Sequence, residues 1–182
     1  MDEGLDTGDI ILKKSIKIEA DETGGSLFDK LALMGGPLIC EVLDMSEKGL
    51  VTRSPQTGEA SYAGMLHKKM GLIDFTWDAV RIERLIRGLN PWPSAYTYYD
   101  GRMIKIWKAF VMNACEADDF DSYKEAPCGS IVKITKEYKY VKTGKDSLVI
   151  ESLQPEGKKR MDTAAYLRGC RMSEGAILGM EE

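Results

Sequence analysis

Residues 95–112, A-Y-T-Y-Y-D-G-R-M-I-K-I-W-K-A-F-V-M, determine the fold of this chain. Aromatic and β-branched residues lie on both sides of Asp100-Gly101, a dipeptide typical of a tight hairpin turn. After the turn, Ile104 and Ile106 alternate with polar residues in the period of two expected of a half-buried strand. The stretch therefore predicts an antiparallel hairpin with strands at residues 95–99 and 103–112.

The sequence after this hairpin predicts three more strands. Short β-rich runs cover residues 129–135, 138–141 and 147–153, and a turn-like K-T-G-K joins the last two. Five strands within about sixty residues are typical of a small antiparallel barrel of the OB-like kind. Residues 161–168 then have the pattern of a closing helix.

The sequence before the hairpin predicts one strand and several helices. Residues 9–18 alternate like a strand, and residues 26–48 have helical spacing that Gly35-Gly36-Pro37 is expected to split into two helices. A further amphipathic helix, capped by Asp74 or Thr76, is expected to end just before Pro91.

Domain organisation follows from a change in composition. Residues 52–71 lack sustained periodicity and are rich in Gly, Ser and Pro, as expected of a surface linker. We therefore expect a first part at residues 1–49, a linker at 50–73 and a second domain at 74–182. The predicted fold class is α+β, a strand-and-helix part followed by a barrel with flanking helices.

Composition excludes several classes of protein. The 182 residues are 43% hydrophobic and carry a net charge of −4, which argues against disorder and against a globally basic nucleic-acid coat. The charge is unevenly spread: residues 1–49 have a net of −6, whereas residues 131–171 carry ten basic and five acidic side chains, a net of +5. The acidic N-terminus and short apolar runs predict neither a targeting signal nor a membrane span, so we expect a cytoplasmic protein.

The metal-binding residue types predict no metal site. Cys40, Cys115, Cys128 and Cys170 form no C-x-x-C pair, and the single histidine, His67, falls in the predicted linker beside two lysines. We expect reduced structural thiols and a solvated histidine.

Three motifs carry a family resemblance. They are M-D-E-G-L-D-T-G-D-I-I at residues 1–11, I-D-F followed by I-R-G-L-N-P-W-P-S-A-Y-T at 73–97, and L-Q-P-E-G-K-K-R-M with Y-L-R-G at 153–169. Together they resemble the methionyl-tRNA formyltransferases over essentially the whole chain. The resemblance implies transfer of a formyl group from 10-formyltetrahydrofolate to the amino group of initiator methionyl-tRNA, in translation initiation.

The resemblance also assigns roles to the first motif. Asp6 would be catalytic, orienting a histidine and a water, while Asp2, Glu3, Gly4 and Leu5 would line the pterin pocket of the folate donor. In that family a long segment precedes this motif and holds the catalytic asparagine and histidine. The resemblance therefore implies that residues 1–49 are the end of an α/β catalytic domain and that this chain is inactive alone.

The basic segment is the candidate surface for transfer RNA. The residues predicted to contact phosphates are Lys136, Lys139, Lys142, Lys145, Lys158, Lys159 and Arg160. A plain solvated surface is the alternative interpretation of the same lysines. Trp92, in the second motif, is expected to pack between helix and barrel.

The partners implied are initiator methionyl-tRNA and a folate donor, without a membrane, and the intact enzyme is expected to be a monomer. A sugar-nucleotide amine formyltransferase is the nearest alternative enzyme. An RNA-binding module without catalysis is the alternative from another class.

Overall fold

A computed structural model describes residues 3–4, 6–113, 124–170 and 172–179. The chain forms two compact units, which are described separately. The first combines Met1–Glu22 with Ser26–Met65, and the second combines Thr23–Gly25 with Leu66–Glu182.

The first unit is dominated by one long helix, α1, which spans Gly24–Glu47 without a break. The predicted split at Gly35-Gly36-Pro37 is therefore wrong. Pro37 removes one intrahelical hydrogen bond and crowds one carbonyl. A helix of 24 residues keeps its other hydrogen bonds and continues through this position. A Cβ added at either of the two glycines before it would meet no atom within 4 Å, so these glycines do not mark a packed break.

The predicted strand at residues 9–18 is also wrong. Only Ile10 is paired, through two hydrogen bonds with Ser54: Ile10 N donates to Ser54 O at 2.8 Å and Ser54 N to Ile10 O at 2.9 Å. An alternating sequence becomes a strand only where a neighbouring strand satisfies its backbone. Residues 11–18 have no such neighbour within the described parts of the chain.

Helix α1 leaves many of its apolar side chains exposed and covers others, such as Leu38 and Val42, only partly. None of its residues is buried, and Phe28 and Leu33 remain 72% and 79% exposed. No helix in the described residues is both long enough and apolar enough to cross a membrane.

The second unit contains the remaining regular elements. After a short 3-10 helix at Lys68–Gly71, they are α2 (Ala79–Gly88), β1 (Ala95–Tyr99), β2 (Arg102–Met112), β3 (Ile131–Ile134), β4 (Lys139–Lys142), β5 (Ser147–Pro155), β6 (Met161–Asp162) and α3 (Thr163–Gly169). The hairpin predicted from residues 95–112 is confirmed, with Tyr99 paired to Arg102 across the turn.

The six strands form one antiparallel sheet in the order β1-β2-β5-β4-β3, and β6 pairs with the far end of β5. Strand β5 is the centre, since it pairs with β2 along one edge and with β4 and then β6 along the other. Among the described strands, β1 and β3 at the two ends of this order do not pair with each other, so the sheet is not a closed barrel. The architecture is an α+β fold, in which helices pack with this sheet in the second unit.

The core of this unit lies between α2 and the sheet. Ile82 and Ile86 of α2 are fully buried, as are Leu148 and Ile150 of β5 and Ile106 of β2. Burying such side chains contributes about 1.5–3 kcal/mol each. The core thereby fixes the sheet that carries the basic segment.

The start of α2 differs from the prediction. Asp78, and neither Asp74 nor Thr76, is the N-cap, and its carboxylate accepts from Arg81 N at 2.7 Å. Asp74 instead accepts from the backbone and hydroxyl of Thr76, and these bonds hold the pKa of its carboxyl below the usual value. Only glycine fits at Gly144, because a Cβ there would clash with the Thr76 carbonyl.

Candidate functional site

The first candidate site is the loop around Asp6 in the first unit. Asp6 is exposed and has a left-handed backbone, with φ of 57°. The side chain of Gln56 holds the loop in this shape, since its Nε2 donates to Asp6 O at 2.9 Å and to Gly8 O at 2.8 Å. A Cβ at Gly4 would lie 2.7 Å from Thr7 Oγ1, so a larger residue there would force the Thr7 side chain to move.

A groove of about 610 Å³ opens beside this loop. One wall consists of apolar side chains from the segment after the loop and from the middle of α1, and the rim carries Asp6, Asp9 and Gln56. The apolar lining residues are Ile10, Ile11, Leu12, Leu38, Ile39 and Val42. Such a groove suits a flat, partly apolar ligand with N–H donors facing the carboxylates.

The other residues predicted for the folate pocket are placed less favourably. Glu3 and Gly4 are exposed and are not among the residues lining the groove. Asp2 and Leu5 lie outside the described residues. No group of three or more metal-ligating side chains occurs in the described part of the chain, and His67 is an exposed residue at the start of the 3-10 helix.

The second candidate site is the basic segment of the second unit, which the sheet divides. Lys142 pairs with Ser147 at the beginning of β5, whereas Lys158, Lys159 and Arg160 follow its end at Pro155. Eight residues of strand separate these ends by about 26 Å. The predicted cations therefore do not form one cluster.

The cations at the beginning of β5 differ in accessibility. Lys145 is exposed in the loop before the strand. Lys136 is also exposed but lies elsewhere, in the turn between β3 and β4 at the opposite end of β4. Lys142 is half-buried, and its Nζ donates to the carbonyl of Lys124 at 2.7 Å.

The prediction that Lys139 contacts RNA is corrected by its position. Its side chain is only 1% exposed and its Nζ lies 4.0 Å from the centre of the Tyr166 ring. Burial lowers its pKa to about 8. A lysine that faces the core cannot contact a phosphate on the surface, so Lys139 leaves the candidate RNA-binding set.

Cations near the end of β5 lie close to Trp107, an aromatic residue that the sequence motifs did not identify as a site residue. Arg160 and Lys105 lie 5.3 and 5.9 Å from the centre of the Trp107 ring. We call Lys105, Trp107, Lys158, Lys159 and Arg160 the tryptophan surface. Because Ile104 and Ile106 face the core, strand alternation places Lys105 and Trp107 on the opposite face. This alternation is visible in the sequence and could have identified both residues as candidates.

Comparison with protein-family models gives one match, which describes the formyl transferase C-terminal domain and covers residues 65–171. These residues are more than half of the chain and contain the whole sheet. The chain belongs to the formyl transferase C-terminal domain family. Together with the curated relatives described next, the family match confirms the resemblance that the three motifs indicated.

Curated relatives extend this similarity to the first unit. A methionyl-tRNA formyltransferase from Agathobacter rectalis is 49% identical over 178 residues, which are 97% of this chain and 55% of that protein. The chain spans about half the length of the curated relatives it matches.

Solved structures share the fold of this formyl transferase family member at low sequence identity. HypX from Aquifex aeolicus, in complex with tetrahydrofolic acid, matches 92% of this chain and 28% of its own, with a TM-score of 0.61 and 15% identity. WlaRD, a sugar 3N-formyl transferase, matches 87% of this chain and 53% of its own, with a TM-score of 0.59 and 18% identity.

Trp92, in the second motif of this family member, differs from its prediction. The residue was expected to pack between helix and barrel, but 57% of its surface is exposed. The backbone beside it makes the close contact instead, because Asn90 O accepts from Gly25 N at 2.8 Å and a Cβ at Gly25 would meet Pro91. The segment therefore packs through the backbone of Asn90 and the ring of Pro91 against Gly25, and the Trp92 indole remains exposed.

Proposed function

We propose that this chain forms the second half of an enzyme that transfers a formyl group to methionyl-tRNA. The observation that carries the proposal is the 49% identity to a methionyl-tRNA formyltransferase, maintained over 97% of this chain. The similarity includes both the Asp6 loop and the sheet with its basic segment. A cytoplasmic, monomeric enzyme of translation initiation fits this assignment.

The Asp6 loop would supply a carboxylate to the reaction. In formyl transfer an amine attacks the formyl carbon, loses a proton and displaces the donor nitrogen, which gains one. A carboxylate at the rim of an apolar groove can orient the group that takes this proton. The apolar wall and the two rim carboxylates also suit the flat, N–H-bearing ring of 10-formyltetrahydrofolate, so Asp6, with the groove beside it, would hold the donor.

The second unit would bind the transfer RNA. The exposed cations of the unit can neutralise phosphates at separate points of a long ligand. They are Lys145 before β5, Lys136 in the turn between β3 and β4, and Lys158, Lys159 and Arg160 after β5. We assign the finer architecture of this unit as an OB-like, partly open barrel, because five of its six antiparallel strands follow one continuous path, the strand number of that class. Residues 1–49, 50–73 and 74–182 would then be the end of a catalytic domain, a linker and the RNA-binding domain.

A chimera tests the function. This chain would be joined to the part of the Agathobacter rectalis relative that it does not match, and formyl-methionyl-tRNA formation would be measured with 10-formyltetrahydrofolate. We expect turnover comparable to that of the relative. A folded chimera that forms no product would contradict the assignment. One that formylates an amino-sugar nucleotide in preference would favour the alternative enzyme.

The 182-residue chain assayed by itself is the second arm. We propose that it binds transfer RNA without transferring formyl groups, since the family resemblance places the asparagine and histidine of the reaction outside its motifs. Turnover by the chain alone would overturn this part. Binding by the chain together with an inactive chimera would favour a role as an RNA-binding module.

A further inference from the structure

We propose that Trp107 is a stacking platform for an unpaired RNA base, with Arg160 and Lys105 contacting the adjoining phosphates. This inference rests on the proposed binding of transfer RNA by the second unit, and it deepens that proposal by naming the mode of recognition. Four independent features of the tryptophan surface support it.

The first feature is a local irregularity in strand pairing at Trp107. Trp107 has no Cα partner on β5, because its neighbours Ile106 and Lys108 pair with the adjacent residues Leu153 and Ser152. The regular register resumes one residue later, so β2 gains no extra residue. Irregular pairing of this kind is over-represented next to functional sites. The ring therefore lies on the face set by strand alternation, at a break in the regular pairing.

The second feature is the fixed orientation of the ring. Trp107 Nε1 donates to Gln154 Oε1 at 3.0 Å, and Gln154 Nε2 donates in turn to Lys158 O at 2.8 Å. These two bonds connect the indole to the turn that carries Lys158 and Lys159. A ring held in place loses little conformational freedom when a base stacks on it.

The third feature is the arrangement of the cations. Arg160 is positioned by its Nε, which donates to Ser152 Oγ at 3.1 Å, and its guanidinium remains available at the edge of the ring. Lys105 approaches the same ring from the neighbouring part of β2. An aromatic face beside two or more cations matches a nucleobase with its phosphates, which is how proteins bind single strands.

The fourth feature is a contrast with Trp77. The Arg81 guanidinium lies 3.6 Å from the centre of the Trp77 ring, a closed stack that packs against the core. The Arg160 guanidinium lies 5.3 Å from the Trp107 ring, too far for the same close contact. Trp77 thus shows a close cation stack in this molecule, and the cation contact at Trp107 is looser.

The experiment compares Trp107→Leu, Trp107→Phe and the matched control Trp92→Leu in the 182-residue chain. Each variant is titrated against fluorescein-labelled single-stranded RNA of about 12 nucleotides and against a duplex with the same number of phosphates. Trp107→Leu is expected to weaken single-strand binding about five-fold or more, the loss typical of one stacked base, without changing the salt dependence. Trp107→Phe keeps an aromatic face without the Nε1 bond and should lose less affinity than Trp107→Leu, whereas Trp92→Leu should bind like the parent chain.

The two proposals fail in different ways. If the chain binds neither RNA, the proposed RNA-binding function is wrong. If it binds both RNAs with a normal salt dependence but Trp107→Leu, with an unchanged melting temperature, binds single strands like the parent chain, the stacking inference is wrong. If Trp107→Leu fails to fold, indole fluorescence provides the test. Single-stranded RNA should quench the tryptophan fluorescence of the parent chain more than that of Trp107→Phe. Equal quenching of the two proteins would overturn the inference.

Discussion

Helices α1 and α2 differ in how their apolar residues are arranged and in how far these are buried. Helix α1 has apolar residues on several sides, whereas α2 confines them to one face, and only that face is buried. Helix α1 has 24 residues and none is buried, whereas the 10 residues of α2 include three buried ones, Ala79, Ile82 and Ile86. Tertiary packing provides most of the stability of a protein helix, more than its intrinsic propensity does. It follows that the second unit is a self-sufficient body, while the first depends on further contacts of its apolar face.

This difference coincides with the proposed division of function. The Asp6 loop and its groove belong to the unit without a core of its own, and the candidate RNA-binding surfaces belong to the unit with one. Substitutions in the first unit should therefore affect formyl transfer, and substitutions in the second unit should affect RNA binding and stability.

The strongest effect is expected from Asp6→Asn in the chimera. Removing the carboxylate should lower the rate of formyl transfer by about two to four orders of magnitude, the range typical of a lost acid–base group. The affinity for transfer RNA should stay the same, because Asp6 lies outside the basic surface. Asp44→Asn, an equal charge change on the exposed part of α1, should leave both quantities unchanged. Equal losses of rate and affinity for Asp6→Asn would show that the loop is structural.

Core truncation should separate the two units by stability. Leu148→Ala, at a fully buried position of β5, should lower the free energy of unfolding of the second unit by about 2–5 kcal/mol. Leu33→Ala, at a position 79% exposed on α1, should change it by less than about 0.5 kcal/mol. Denaturant melts followed by circular dichroism measure both. Similar losses for the two variants would mean that α1 has a buried face in solution.

The pH dependence of stability should reveal the buried Lys139. Its pKa is lowered to about 8 in the folded state, so between pH 8 and 10 the unfolded chain binds more protons than the folded one. The free energy of unfolding should therefore rise by about 1–2 kcal/mol across that window. Above pH 10 the rise should end, because burial raises the pKa of Tyr166 and favours ionisation in the unfolded chain.

Lys139→Met is the test of that interpretation. The variant should be more stable than the parent at pH 7, and its stability should not increase between pH 8 and 10. An unchanged pH profile in the variant would show that another group titrates in this window.

The smallest effects are expected from single cations on the tryptophan surface. Lys158→Gln and Lys159→Gln should each flatten the slope of log affinity against log salt by up to about one unit. Lys13→Gln and Lys14→Gln, two exposed cations of the first unit, are the matched controls and should leave the slope unchanged. If Lys158→Gln and Lys159→Gln lower the melting temperature and leave the slope as it is, these residues are structural.

The sequence predicted the second unit better than the first. The hairpin at 95–112 and the helix before it depend on local alternation and spacing, and both were confirmed within a few residues. The failures concern partners: residues 9–18 alternate but find no strand to pair with, and Lys139 occupies an inward position that its polarity does not reveal. Periodicity assigns faces, but only the assembled sheet shows what lies against each face.

The candidate sites follow the same rule. Asp6 could be selected from its motif, whereas its clamp by Gln56 joins residues fifty positions apart. The irregular pairing at Trp107 likewise depends on the register between β2 and β5, which the sequence of either strand does not encode alone. Contacts between residues that are far apart in the sequence could therefore be identified only in the structure.

Amide hydrogen exchange on the 182-residue chain is the decisive measurement of the difference between the two units. We predict that the amides of β5, from Leu148 to Leu153, exchange only through global unfolding of the second unit. The amides of α1 from Leu31 to Leu43 should exchange orders of magnitude faster, through local opening of an uncovered helix. Equal protection of the two segments would contradict the claim that one unit is self-sufficient and the other is not.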